Sequence, residues 1–259
     1  MQAMGAVPWG CATWLARALK VEESQIILSL DAWKINTGAT ESQRLDISHC
    51  CDRLQSQING LVQTVATYIG ANWDCGYDSY EYVDPDNSED DPFITPSTGH
   101  AEHVLLPLPS YIGLPQFGQL GLSGLVDQEL QLRQGQANDT LHEIQLVLAD
   151  KAVVYRTQVR HAKNYAMTAW AWKKVSDLDA MVARYSAVYH CCQQQMVSLG
   201  ADQSILNHHQ ILNEKDVTVS TAVADSNARG HHLDSLTWFW TMDIPKDTHE
   251  NDWMSECKL

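Results

Sequence analysis

The stretch AWKKVSDLDAMVARYSAVYHCCQQQMVSL, residues 171–199, decides the fold. Within it Ala171, Val175, Leu178, Val182, Tyr185, Tyr189, Cys192, Met196 and Leu199 repeat a 4,3,4,3 spacing without a break, the period at which one stripe of a helix returns to the same side. No Pro or Gly interrupts the run until Gly200, which stands where a left-handed cap ends a helix. The spacing predicts one long helix over Ala162–Leu199. A rod of about 30 residues is roughly 45 Å long and cannot shield its own stripe, so partner helices have to run beside it.

Working outward, the same period recurs. Thr40 and Glu41 open a second helix in which Ile47, Cys51, Leu54, Ile58, Leu61, Val65 and Tyr68 step 4,3,4,3 as far as Gly70. Before it, a helix over about Thr13–Ile35 carries Ala18, Val21, Leu28, Ala32 and Ile35 on a stripe that Gln25 interrupts and Gly38 ends. The short link Asn36–Ala39 favours an antiparallel hairpin of these two. Another helix is predicted over Ser123–Ala149, with Leu130, Ala137, Leu141, Ile144 and Leu148 inward. Gly135 inside it costs about 1 kcal/mol relative to Ala, which implies that something packs closely there. Lys151–Val159, with Val153 and Val154 β-branched, reads as a short strand or as a lead into the long helix. A short helix follows from Asp202 to Leu212. Val217, Val219, Thr221 and Val223 then alternate like a strand, and Asn227–Gly230 reads as a turn ahead of the aromatic run Trp238, Phe239, Trp240.

Between the second and third helices the character changes. Trp73–Pro115 holds nine acids and six prolines with no apolar period, the composition of a disordered acidic linker, although Leu105–Leu122 is richer in Leu, Pro and Gly and is suited to irregular packing. The expected fold is therefore mainly α. Four long helices form an elongated antiparallel bundle or coiled coil, with a disordered acidic loop and little or no strand. By residue, 1–72 is an N-terminal helical hairpin, 73–115 the acidic linker, 116–200 a second long-helix pair completing the bundle, and 201–259 an irregular, truncated C-terminal segment.

Of the 259 residues, 17 are Lys or Arg and 32 are Asp or Glu, for a formal charge of −15. Such a balance repels polyanions at long range and argues against direct nucleic-acid binding. The acid is unevenly spread. No base lies between Arg53 and Arg133, where 11 acids fall, so a basic face elsewhere is compatible with the total. Seven cysteines in no framework spacing fit a reducing compartment. The apolar run Met4–Leu15 has its bases, Arg17 and Lys20, on the wrong side for a secretory signal, and no apolar run is long enough to span a membrane. A nuclear or cytoplasmic, non-secreted protein is expected.

Two tripeptides attract attention as metal ligands: His49-Cys50-Cys51 and His190-Cys191-Cys192. Neighbours on a helix point about 100° apart, and the two-residue Cys spacing of zinc sites is missing. Only two tripeptides on facing helices, through His49, Cys51, His190 and Cys192, supply four ligands. Small core cysteines are the plainer reading, and no cofactor is expected. The pairs His208-His209 and His231-His232 read as solvated surface, and His100 and His103 as members of the acidic loop. Asp127, Glu129, Asp139 and Glu143 sit on one predicted helix rather than on the separated strands a two-metal nuclease needs. No nucleophile elbow or phosphate-binding glycine loop occurs.

The segment LQLRQGQANDTLHEIQL, residues 130–146, with VSTAVADSNARG at 219–230 and LTWFWTMDI at 236–244, resembles the C-terminal region of fungal Kyakuja-Dileera-Zisupton (KDZ) transposases and their associated cysteine-cluster proteins. Shorter matches at Tyr155–Arg160, Ala169–Val175 and Leu199–Ala201, and helices one and two, extend the likeness over about Leu15–Ile244 apart from the acidic loop. The resemblance implies a largely helical transposase region without the nuclease core. Cys50, Cys51 and Cys192 stand where the family tends to carry bases, and the family pattern runs on past Trp253 and Met254 into a further helix, so a remnant or truncated derivative is expected. No catalytic residue transfers. A non-catalytic scaffold that self-associates or contacts other proteins through its helical seams is the expected function. The competing expectation is an accessory part of a divergent DDE-type transposase that contributes to DNA cleavage.

Overall fold

A computed structural model describes residues 9–34, 39–70, 101–119, 122–219 and 237–242. The described residues are mainly helical, with no strand among them. Four helices are long: α1 (Cys11–Lys34), α2 (Glu41–Tyr68), α5 (Ser123–Val154) and α6 (Tyr165–Ser198). Shorter ones are α3 (Pro109–Ile112), α4 (Leu114–Gln119) and α7 (Gln203–His208). The chain forms two compact units that divide between Leu125 and Val126, within the first turn of α5.

In the first unit α1 and α2 run antiparallel. Trp14, near the start of α1, stacks on Tyr68, the last residue of α2, with ring centroids 5.3 Å apart. Thr40 caps α2 as the sequence suggests: its hydroxyl accepts from Gln43 N–H while the Gln43 side chain accepts from Thr40 N–H, a reciprocal capping box. The seam of α2 is buried at Leu54, Ile58, Leu61 and Val65, yet only half-buried at Ile47, Cys51 and Tyr68. On α1, Ala18, Val21 and Leu28 are buried and Ala32 is half-exposed. Ile35 lies outside the described residues.

The cover that limits this burial is the segment after the acidic stretch. A 3-10 turn, Ala101–His103, and α3 pack on the hairpin, burying Ala101, Leu106 and Leu108. Fully burying an aliphatic side chain of this size contributes about 1.5–3 kcal/mol, which is why a segment without any apolar period folds here. Residues 101–115, grouped with the acidic linker by composition, thus include ordered short helices. The linker's remainder, 73–100, lies outside the described residues.

In the second unit, side-chain contacts step in opposite directions along α5 and α6. Gln136 meets Cys192, Lys151 meets Asp179 and Tyr155 meets Trp172, so these helices are antiparallel too. The seam of α6 is buried at Ala171, Val175, Val182, Tyr189, Cys192, Met196 and Leu199, with Leu178 and Tyr185 half-buried. Asn164 caps its start through Met167 N–H. Its end is a Schellman turn. Gly200 takes φ +70°, and the N–H groups of Ala201 and Gly200 donate to Met196 O and Val197 O.

The structure corrects several local expectations. Of the two readings of Lys151–Val159 the helical lead toward α6 holds and the strand does not: α5 continues to Val154 and closes in a π-helical turn, Tyr155–Val159, whose last bond runs from Arg160 N–H to Tyr155 O. Val217 ends a 3-10 turn, Glu214–Val217, while Thr221, Val223, Asn227 and Gly230 lie outside the described residues. Leu130 is only half-buried. Glu129 and Arg133 occupy the inward side in its place. Gly135 is not forced by a close neighbour either, since a Cβ there would meet nothing within 4 Å. Gly135→Ala should raise stability by about 0.5–1 kcal/mol through helix propensity and a less free unfolded chain, measured as a shift in the denaturation midpoint.

Candidate functional site

Among the described residues several polar groups are built into helix seams. Each is best read from its own sequence context. In α5 the buried stripe runs through Leu125, Glu129, Arg133, Ala137, Leu141 and Ile144, so two charges fall among apolar residues. Four residues apart, they lie one above the other on the helix. Arg133 donates to Glu129 Oε1 from Nη2 at 3.0 Å and from Nε at 3.2 Å, and neither side chain has any exposed surface. Glu129, counted among the acids at first reading, is therefore neutralised in place. Asp127 and Asp139 remain on the exposed side of the same helix and Glu143 is half-buried. These acids share a helix, as expected.

The end of α6 and the following segment are held by a second set of bonds. Cys192 Sγ–H donates to Gln136 Oε1 at 3.2 Å. The Tyr189 hydroxyl donates to Gln210 O at 2.7 Å, and burial, with the nearby Cys192, pushes its pKa far above the ordinary phenol value, keeping it a donor. His190 reaches Leu212 O at 2.8 Å. The 3-10 turn Trp238–Trp240 docks through Phe239, which is fully buried and accepts at its carbonyl from the Gln145 amide at 2.7 Å. Of the aromatic run Phe239 thus serves the core, while Trp238 is half-buried and Trp240 exposed.

His209 departs from expectation. Only 2% of its surface is exposed, against the solvated position its doublet with His208 suggested. One ring nitrogen lies 3.1 Å from Ile205 O and the other 3.1 Å from the Asn138 amide. Both partners, Ile205 O and Asn138 Oδ1, are acceptors, so a neutral ring with one N–H donates to only one of them at a time. His208 stacks edge-on at 4.9 Å between centroids. Burial, and secondarily the His208 charge, pull the His209 pKa below its ordinary 6.5, while the bond to Ile205 partly restores it. The unfolded chain then takes up a proton that the folded chain refuses. Stability from this site is present above about pH 6.5 and falls as the pH drops through that value. His209→Asn should flatten that part of a plot of unfolding free energy against pH.

The four metal candidates are placed as follows. His49 is exposed on α2 and Cys51 is half-buried in the first unit; His190 is exposed and Cys192 fully buried in the second. Burial, then the carboxylate of Glu102, raise the Cys51 pKa, which disfavours the thiolate a metal needs. Cys192 already spends its hydrogen on Gln136. Among the described residues no group of three or more His, Cys, Asp or Glu side chains is arranged to hold a metal ion. All five described cysteines are thiols. His231, His232 and His100 lie outside the described residues, and His103 is exposed.

Sequence reasoning missed one further group. Gln25, which breaks the stripe of α1, is buried, and its amide nitrogen donates to Ala101 O at 2.9 Å and to Val104 O at 2.8 Å. Beside it the Tyr111 hydroxyl donates to Glu22 Oε1 at 2.7 Å. A glutamine on an apolar stripe is the signal; its acceptors are about 80 residues away in sequence, beyond any local pattern. No described helix is long and apolar enough to cross a membrane. Set against known families, characterised proteins and solved structures, the chain matches none.

Proposed function

We propose that this chain is a non-catalytic helical scaffold, derived from a transposase of a mobile element, that self-associates through the linked end of its first hairpin, where α1 ends and α2 begins. The observation that carries the reading is a seam that outruns its cover. The segment 101–112 is tied to α1 at Glu22 and Gln25, and burial on α1 stops at Leu28. Beyond it the stripe continues through Ala32 and, on α2, Cys51 and Ile47, all half-buried. At the same end Leu45 is 55% exposed and Trp33 89% exposed. Apolar positions repeated at heptad spacing and left partly wet are what a second hairpin of the same kind would bury. The transposase origin rests on the resemblance at 130–146, 219–230 and 236–244. Seven cysteines in no framework spacing support a nuclear or cytosolic setting.

Sedimentation equilibrium of the full chain tests the association. A concentration-dependent dimer is expected, and Leu45→Asp with Ile47→Asp should weaken it by at least about tenfold, because a charge would be buried without a partner. A monomer at every concentration, with amides of residues 41–51 already protected from exchange, would overturn the reading.

A further inference from the structure

We propose that the tip of the α5–α6 hairpin, residues 155–174, is a binding surface for single-stranded nucleic acid. The whole-chain charge of −15 hides a local reversal. This tip carries Arg156, Arg160, Lys163, Lys173 and Lys174 and not one Asp or Glu, and all five bases are exposed. Asp150 and Asp177 are the first acids on either side. At about 0.1 M salt exposed charges act over about 10 Å; Asp177, one turn beyond Lys173 and Lys174, tempers the base of the tip, while Arg156, Arg160 and Lys163 have no acid beside them in sequence.

Exposed rings are interleaved with the cations. Tyr165 is 89% exposed, Trp170 60% and Trp172 51%, an arrangement that costs a soluble fold apolar surface without return in its own core. Trp170 and Trp172 flank Ala171, which is buried. At about 100° per residue they project from opposite flanks of the seam. Tyr165, two turns before Trp172, adds a ring on the latter's flank about 10 Å along the axis. Lys174 Nζ sits 5.6 Å from the centre of the Trp170 ring, and Trp172 meets Tyr155 edge-on at 6.2 Å. The π-helical turn that opens the tip is of a kind that recurs at functional positions.

The choice of occupant follows from this distribution. A membrane surface is met by one apolar face with bases on its borders. Here the rings look in different directions, with cations between them. An acidic peptide would use the bases and leave the rings idle. A single-stranded polynucleotide presents both a charge and a planar face at every residue, and stacking on aromatic side chains is tolerant of sequence.

The test is fluorescence anisotropy of a labelled 20-nucleotide oligothymidylate with the full-length chain. Binding is expected at low salt, falling about tenfold or more between about 50 and about 200 mM salt. Trp170→Ala, whose ring is largely in solvent, should weaken binding at least about fivefold with the helical circular dichroism unchanged, and Lys173→Gln with Lys174→Gln should lower the salt dependence. Polyglutamate should compete poorly. The proposal is overturned by no binding at low salt, by equal competition from polyglutamate, by affinity untouched in Trp170→Ala, or by binding confined to anionic phospholipid vesicles.

Discussion

Replacing Arg133 with Met is expected to lower the stability of the second unit by about 3–5 kcal/mol, because it leaves the Glu129 carboxylate charged, fully buried and without its guanidinium. The two side chains have no exposed surface and are joined by two hydrogen bonds. Their mutual attraction offsets desolvation only while both are present. The double variant Glu129→Met with Arg133→Met should recover most of the loss, within about 1 kcal/mol of the parent or above it, since well-packed apolar replacements of a buried pair are often neutral or stabilising. Exchange of α5 amides in denaturant reads this unit by itself. A single variant that unfolds with the parent would show that water reaches Glu129, and a double variant as weak as the single would show that the pair shapes the packing around it.

Gln25→Leu is the second large effect. The leucine fits the apolar stripe of α1 better than glutamine does, and by helix pattern alone it should stabilise. The structure predicts the opposite. Ala101 O and Val104 O would lose their donor, at about 1–3 kcal/mol for each buried group left unsatisfied, so a net loss of about 2–4 kcal/mol is expected. The loss should be local first. Amides of residues 101–112 should exchange early and the segment should become a site of limited proteolysis, while α5 and α6 keep their protection. Equal protection along 101–112 in parent and variant would refute the role of Gln25 as the clasp.

These two sites mark where the sequence stops being readable. The α6 seam, its Gly200 cap, the Thr40 capping box and the pairing of α1 with α2 follow from local spacing and cap chemistry, which act within a few residues. Glu129 and Arg133 escaped because an apolar template selects Leu130, the residue beside them; only knowledge of what packs on α5 turns an ordinary i,i+4 ion pair into a buried one. Gln25 escaped for the complementary reason. Its partners are remote in the chain and belong to a segment with no period. His209 is not legible as a buried residue because a histidine doublet carries no record of burial, which depends on Asn138 lying opposite.

The cover supplied by residues 101–112 also has a consequence in time. A ribosome adds about 5–20 residues per second, so α1 and α2 are complete some seconds before the segment that roofs them has emerged. During that interval the faces of α1 and α2 that pack against Ala101–His103 have no lid. Codon choice across the intervening stretch would set how long the hairpin waits.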